Sequence, residues 1–180
     1  PQVQRRILPV GTYMVATEPL GEARAKALLP TNCAVSDNQF ILDYFRLSAD
    51  YRLLFGGKCT YTGRTPRDLT HSMRVDMLRV FPQLADVPIA YTWGGHIDIT
   101  MARTPDFGRQ RNVYWAQGFS GHGIVPTCVA GRVLAEAICG DDTHLQLFAQ
   151  LNNRAFPGGQ TLAALFQVVG MSYYRLRDYF

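Results

Sequence analysis

Lysine is almost missing from this 180-residue chain: Lys26 and Lys58 are the only two, so arginine carries nearly all of the positive charge. The net charge of +4 is spread over single or paired residues such as Arg5-Arg6, Arg64, Arg67, Arg109 and Arg111. There is no basic stripe with interleaved aromatics, so no nucleic-acid partner is expected. No apolar run reaches the roughly 18 residues of a membrane span. None of the four cysteines (Cys33, Cys59, Cys128, Cys139) forms a C-x-x-C pair. A disulfide framework and a metal site are therefore unsupported, and reduced, mostly buried thiols in a cytoplasmic protein are expected. The chain opens on Pro1-Gln-Val-Gln-Arg-Arg, with neither an initiator Met nor a signal peptide, as a chain entered partway through would.

What is present is ordinary globular material, 47% hydrophobic and 18% charged, enough for a real core. Tyr13 to Ala16 reads as a strand and Leu20 to Leu29 as a short helix. Phe40 to Leu47 and Arg52 to Phe55 flank the polar turn Ser48-Ala49-Asp50-Tyr51, a hairpin signal. Thr65-Pro66 predicts the start of a helix with Thr as N-cap. Leu69, Met73, Met77 and Phe81 share its inner face, and Pro82 ends it. Ile89 to Trp93 and Ile97 to Thr100 are strand-like, broken by Gly94-Gly95, and Val113 to Ala116 is a further short strand. Ile124 to Cys139 predicts a helix with Pro126 in its first turn and Gly140 as C-terminal cap. Being apolar nearly all round, it is expected to be deeply buried. A last helix is expected from about Gln160, with the stripe Leu162, Leu165, Phe166, Val169, Tyr173 and Leu176. Strand runs separated by helices predict an α+β fold, with a mixed, mainly antiparallel sheet flanked by helices.

Two segments carry chemistry. Gly118-Phe-Ser-Gly-His-Gly123 leads from a strand into the helix at Ile124. That arrangement offers backbone N–H groups and the positive end of a helix dipole to a ligand, with glycines where a planar or anionic group must come close. The same pattern serves a tight strand–helix connection without a ligand, and His122 within it suits a structural hydrogen bond as well as a chemical role. In Tyr91-Thr-Trp-Gly-Gly-His-Ile-Asp-Ile-Thr100, Trp93 beside two glycines can wall a flat pocket or pack over a bulge. Asp98 and Thr100 alternate with Ile97 and Ile99 and share one face of the strand.

In order and spacing the chain resembles the FAD-dependent amine and amino-acid oxidoreductases, the family of D-amino-acid oxidase, glycine oxidase and sarcosine oxidase. Within it, the likeness is to gamma-glutamylputrescine oxidase-like members. It rests on Arg6-Ile-Leu-Pro-Val, Ala16-Thr-Glu-Pro-Leu20, Asp43-Tyr-Phe-Arg46, Arg52-Leu-Leu-Phe-Gly-Gly57, Phe81-Pro-Gln-Leu84 and Trp93-Gly-Gly with Thr100 and Pro105. It continues through Gly108-Arg109, Gly118 to Ile124, Phe156-Pro-Gly-Gly159 and Tyr173-Tyr-Arg-Leu-Arg-Asp178.

The resemblance implies a C-terminal portion. The family's dinucleotide-binding G-x-G-x-x-G turn is absent, so a missing N-terminal half would complete the FAD site. Residues 1–107 then form a substrate-side sheet domain, 108–140 a flavin-contacting strand–turn–helix and 141–180 a C-terminal helical segment. Gly118, Phe119, Ser120, Gly121, His122, Gly123 and Ile124 would contact the flavin. Tyr44, Lys58, Trp93 and His96 are the substrate-pocket candidates, and no catalytic base stands out. Sarcosine oxidase-like members hold a substrate carboxylate with a Lys two residues after the turn, where this chain has Val125, which points to a longer amine. They also attach flavin through a Cys near the segment matched by Trp93 to His96. No Cys lies there, so FAD is expected to be non-covalent. Ala102 stands where relatives usually carry Asp or Asn.

The implied reaction is oxidation of a C–N bond of an amine, such as a gamma-glutamylated polyamine, with H₂O₂ release and with the fragment alone inactive. A non-catalytic binding or assembly domain, or a subunit that needs a separate FAD-binding chain, stays open. An apolar face left by the missing half would favour a homo-oligomer.

Overall fold

The computed structural model describes residues 2–39, 41–60, 65–151, 153–157, 162, 168 and 169. Alternating burial along Leu8–Thr17 makes it a long strand, β1, with Val10, Tyr13 and Val15 turned inward. Helix α1 (Glu22–Leu28) follows, then β2 (Val35–Ser36), β3 (Tyr44–Leu47) and β4 (Leu53–Thr60). β3 and β4 form the expected antiparallel hairpin, Leu47 opposite Leu53. Its turn is tied by Ser48 Oγ donating to Asp50 at 2.6 Å and by Tyr51 in a left-handed conformation (φ 62°). The strand order β2-β3-β4-β1-β5 places β5 (Ile89–Ile99) beside β1. A second sheet is the antiparallel hairpin β6 (Asp106–Gln110) and β7 (Val113–Gln117). Helices α2 (Leu69–Val80), α3 (Ile124–Ile138) and α4 (Thr143–Ala149) complete the described elements. The fold is α+β with an antiparallel-rich sheet, as expected.

The chain divides into two compact units, Gly11–Gly95 with Val169–Phe180, and Pro1–Val10 with His96–Val168. Each has its own core. In the first, Tyr13, Val15, Phe55 and Leu53 from the sheet meet Met73 and Met77 of α2, with Phe81 and Leu84 beyond it. Phe45 stacks on Phe55 and meets Phe81 edge-on at 4.8 Å. In the second, Phe107 packs with Ala130, Val133 and Ala137 of α3 and Leu145 of α4.

Four expectations are corrected. Gly94-Gly95 do not break the strand: β5 runs through them, because Gly94 lies under the ring of Tyr13 and leaves room for it. Gly56 under Tyr44 and Gly108 under Trp115 repeat the device. Helix α2 starts later than Thr65-Pro66, with Asp68 at the N-cap and no side-chain capping bond. Helix α3 is not buried all round: Ala130, Val133 and Ala137 face the core, whereas Ile124 (90% exposed), Val125 (71%), Val129 and Ile138 do not. An apolar stripe says that a face is made to be covered, and the described residues cover one side only. Likewise Cys33, Cys128 and Cys139 are exposed and Cys59 is half-buried, where buried thiols were expected. The helix expected from Gln160 falls almost wholly outside the described residues.

One buried carboxylate organises the second unit. Asp106, 2% exposed, accepts hydrogen bonds from Arg6 Nη1 at 3.1 Å, Trp115 Nε1 at 3.1 Å and Gln117 Nε2 at 2.9 Å. Gln117 Nε2 also donates to the Val3 carbonyl at 3.0 Å, so the N-terminal turn is fastened to β7. Removing the carboxylate strands one charge and two donors. Asp106→Ala is expected to cost about 3 kcal/mol, the low end for a broken buried pair because Arg6 is partly in water. Urea unfolding of the two proteins measures the difference.

Candidate functional site

The glycine turn is laid onto β5. Alternation along that strand puts Asp98 and Thr100 on one side, and both meet Gly118. The Asp98 carboxylate accepts the Gly118 N–H, and the Asp98 main-chain carbonyl accepts the Ser120 N–H at 2.9 Å. The Thr100 methyl lies where a Cβ on Gly118 would stand. Thr100 is itself fixed, its hydroxyl donating to the Thr104 carbonyl at 2.7 Å. Gly118 (φ 77°), Ser120 (φ 53°) and Gly121 (φ 88°) all lie in the left-handed region, so the backbone coils tightly before the helix begins. The His122 N–H donates to the Phe119 carbonyl at 2.9 Å and closes the coil.

Gly121 and His122 are exposed, and Gly123 is the N-cap of α3 without a side-chain capping bond. The N–H groups of Ile124 and Val125 are in the first helical turn, where no intrahelical acceptor exists. This combination suits a planar group that gathers negative charge: an accessible glycine-lined coil, open donors and a helix dipole. Pro126 at the third helical position removes no needed donor. His96 is exposed and lies two residues before Asp98 on the same strand.

The remaining pocket candidates lie in the other unit, and the structure separates them by sheet face. Thr70 of α2 hydrogen-bonds Thr92 at 2.9 Å, so Thr92 points to the α2 side and Trp93 to the opposite one. Phe45 packs on the α2 side, which turns Tyr44 away from it, over Gly56. Tyr44 and Trp93 (45% exposed) therefore share the face without α2. The Tyr44 hydroxyl is 3.4 Å from the Thr12 hydroxyl.

Lys58 points the other way. Its ammonium donates to Asp76 of α2 at 2.7 Å. The cause is a β-bulge: Thr12 pairs with Cys59 and Tyr13 with Gly57, so β4 carries Lys58 as an extra residue, in a left-handed conformation (φ 44°). Asp43 also lies on the α2 side, its carboxylate against Gly57. Burial, then Asp37 and Asp76, push the Asp43 carboxyl up to about 6, against the opposing pull of Arg79 and Lys58.

Two outcomes follow from this geometry. Gly118→Ala forces a Cβ into left-handed backbone and against the Thr100 methyl, and is expected to cost about 2–4 kcal/mol, read by urea or thermal unfolding. Asp43 holds its proton in the folded chain at a pH where the unfolded chain has lost it. Its contribution to stability therefore falls as pH rises from about 4 to about 6 and is level above. The difference in urea midpoint between Asp43→Asn and the parent chain should grow over that window; a constant difference refutes the assignment.

Residues 1–137 match the family model described as FAD dependent oxidoreductase. The chain is 44% identical over 179 residues to a gamma-glutamylputrescine oxidoreductase of Escherichia coli (strain K12), covering 99% of this chain and 42% of that protein. It is 45% identical over 177 residues to a probable oxidoreductase OrdL of Haemophilus influenzae, covering 98% of this chain and 40% of that protein. The chain thus spans about two-fifths of the length of these relatives. In fold it is similar to an L-proline dehydrogenase from P. horikoshii (TM-score 0.60, 24% identity, 77% of this chain and 37% of that one). It is also similar to a glycine oxidase from Geobacillus kaustophilus (TM-score 0.58, 20% identity, 73% and 35%). Matched over most of its length by this one family model, the chain belongs to the FAD-dependent oxidoreductase family.

Proposed function

We propose that this chain is the substrate-side and flavin-facing part of an oxidoreductase acting on a C–N bond of an amine, with a gamma-glutamylated polyamine as substrate. The observation that carries this reading is the coil Gly118–Ser120–Gly121, held from behind by β5 and open in front at the first turn of α3. Gly118, Phe119, Ser120, Gly121, His122, Gly123 and Ile124 would hold the pyrimidine end of a non-covalent FAD, which supplies the hydride acceptor.

The chain's own residues bind and orient. The α3 N-terminus favours negative charge in front of it. Val125, exposed in that first turn, offers no cation to a substrate carboxylate. Tyr44 and Trp93 give one sheet face two aromatic surfaces for the aliphatic part of an amine, and His96, exposed on β5, is a separate substrate-side candidate. Lys58, paired with Asp76, contributes from the α2 side of the sheet by shaping the bulge. Hydride loss from a neutral amine depends on orientation and exclusion of water more than on a strong base, and no base is assigned. H₂O₂ as co-product, a cytoplasmic setting and inactivity of these 180 residues without an FAD-binding half belong to the same proposal. The described helices include none long and apolar enough to cross a membrane.

A second arrangement draws support from the exposed apolar side of α3, with Ile124, Val125, Val129 and Ile138: a separate FAD-binding chain, or a second copy, covers that side.

The test is an absorbance spectrum of the polypeptide that carries this chain together with its FAD-binding half, followed by anaerobic mixing with a panel of amines. Flavin bleaching by a gamma-glutamylated diamine is the expected result; no reduction by any amine defeats the proposal. Trp93→Ala is expected to raise KM about tenfold, or ~1.4 kcal/mol, with kcat changed far less, whereas Tyr44→Phe, which keeps the ring, should leave KM nearly as it is. Bound FAD and amine-dependent peroxide from the 180-residue chain alone would refute the inactivity of the fragment.

A further inference from the structure

Asp98 lies outside the glycine turn, yet it supplies acceptors to two of the turn's N–H groups. Its side chain takes that of Gly118 and its carbonyl that of Ser120. Both recipients are left-handed residues, one of them not glycine, so the conformation is imposed by partners rather than preferred locally. On either side of Asp98, Ile97 lies beside Gly121 and Thr100 beside Gly118. The strand segment from Ile97 to Thr100 is thus the bed on which the coil is formed, with Asp98 as its one charged contact to the coil.

We propose that Asp98 is a positioning residue for the flavin-facing turn, which fixes the coil through Gly118 and holds down the electron affinity of the group in front of it. The inference rests on the flavin reading of that turn. The physical argument has two parts. Gly118 is buried, so its N–H has no recourse to water if the carboxylate is removed, and the coil must shift to satisfy it. A carboxylate behind the coil also opposes negative charge gathering in front, against the helix dipole that favours it. Asparagine keeps an acceptor oxygen and removes the charge; alanine removes both.

The test uses Asp98→Asn and Asp98→Ala with two readouts. Amide hydrogen exchange by NMR on the 180-residue chain reports the coil without cofactor. Gly118 protection is expected to fall at least a hundredfold in the alanine variant and to stay within about tenfold of the parent in the asparagine variant. On the FAD-loaded enzyme, the alanine variant is expected to bind FAD at least tenfold more weakly. The asparagine variant should bind it as the parent does, with a more positive flavin reduction potential. A merely structural Asp98 would leave that potential unmoved. Unchanged Gly118 exchange in the alanine variant, or an unchanged potential in the asparagine variant, overturns the proposal. A parent enzyme that binds no FAD defeats the flavin reading instead, and the exchange measurement still decides whether Asp98 forms the coil.

Discussion

The carboxylate of Asp106 is the fixed point of the unit that carries the glycine turn. It is out of water, and Arg6, Trp115 and Gln117 all donate to it in place of water. Those three donors come from the N-terminal turn and from β7, and β7 runs directly into Gly118. The direction in which the chain leaves that strand is therefore set by a buried ionic contact. Asn153 adds a neutral clasp nearby, its amide donating to the Thr104 and Pro105 carbonyls at 3.1 and 3.0 Å. That contact secures the loop between β5 and β6. Polar groups, more than apolar area, decide where the turn sits.

The other unit follows a different logic. Its sheet has a packed side, where Phe55, Met73 and Met77 are fully buried, and a side of aromatic and long side chains in partial contact with water. The bulge at Lys58 belongs to that division. It keeps the ammonium among the acidic groups of the α2 side and leaves the opposite face to Tyr44 and Trp93.

Much of this was legible in the sequence. The β3–β4 hairpin was written in its polar turn, the α2 core face in Met73 and Met77, and the strand–turn–helix in the glycines. The shared face of Asp98 and Thr100 was also readable from alternation. What alternation could not supply was the partner: Gly118 lies 20 residues further along, and no local pattern links the two. The continuity of β5 through Gly94-Gly95 was hidden for the same reason, since the ring that occupies the space belongs to β1. The burial of α3 was misjudged because hydrophobicity records the need for a cover, whatever supplies it. Asp106 carries no local mark of its role, as its three donors are scattered between residues 6 and 117. The direction of Lys58 was hidden because a one-residue bulge, which reverses the face, leaves no mark in composition.

The rings over glycines have a consequence for how such a protein diverges. Tyr44 with Gly56, Tyr13 with Gly94 and Trp115 with Gly108 are each physically coupled, the ring occupying the space of the missing side chain. A methyl group gained at the glycine evicts the ring, and a ring lost leaves a bare stretch of strand that only a larger residue can refill. A substitution at one member of such a pair therefore calls for one at the other. In a descendant that widens its aromatic face by giving up Tyr44, the compensating change is to be sought at position 56, on the neighbouring strand.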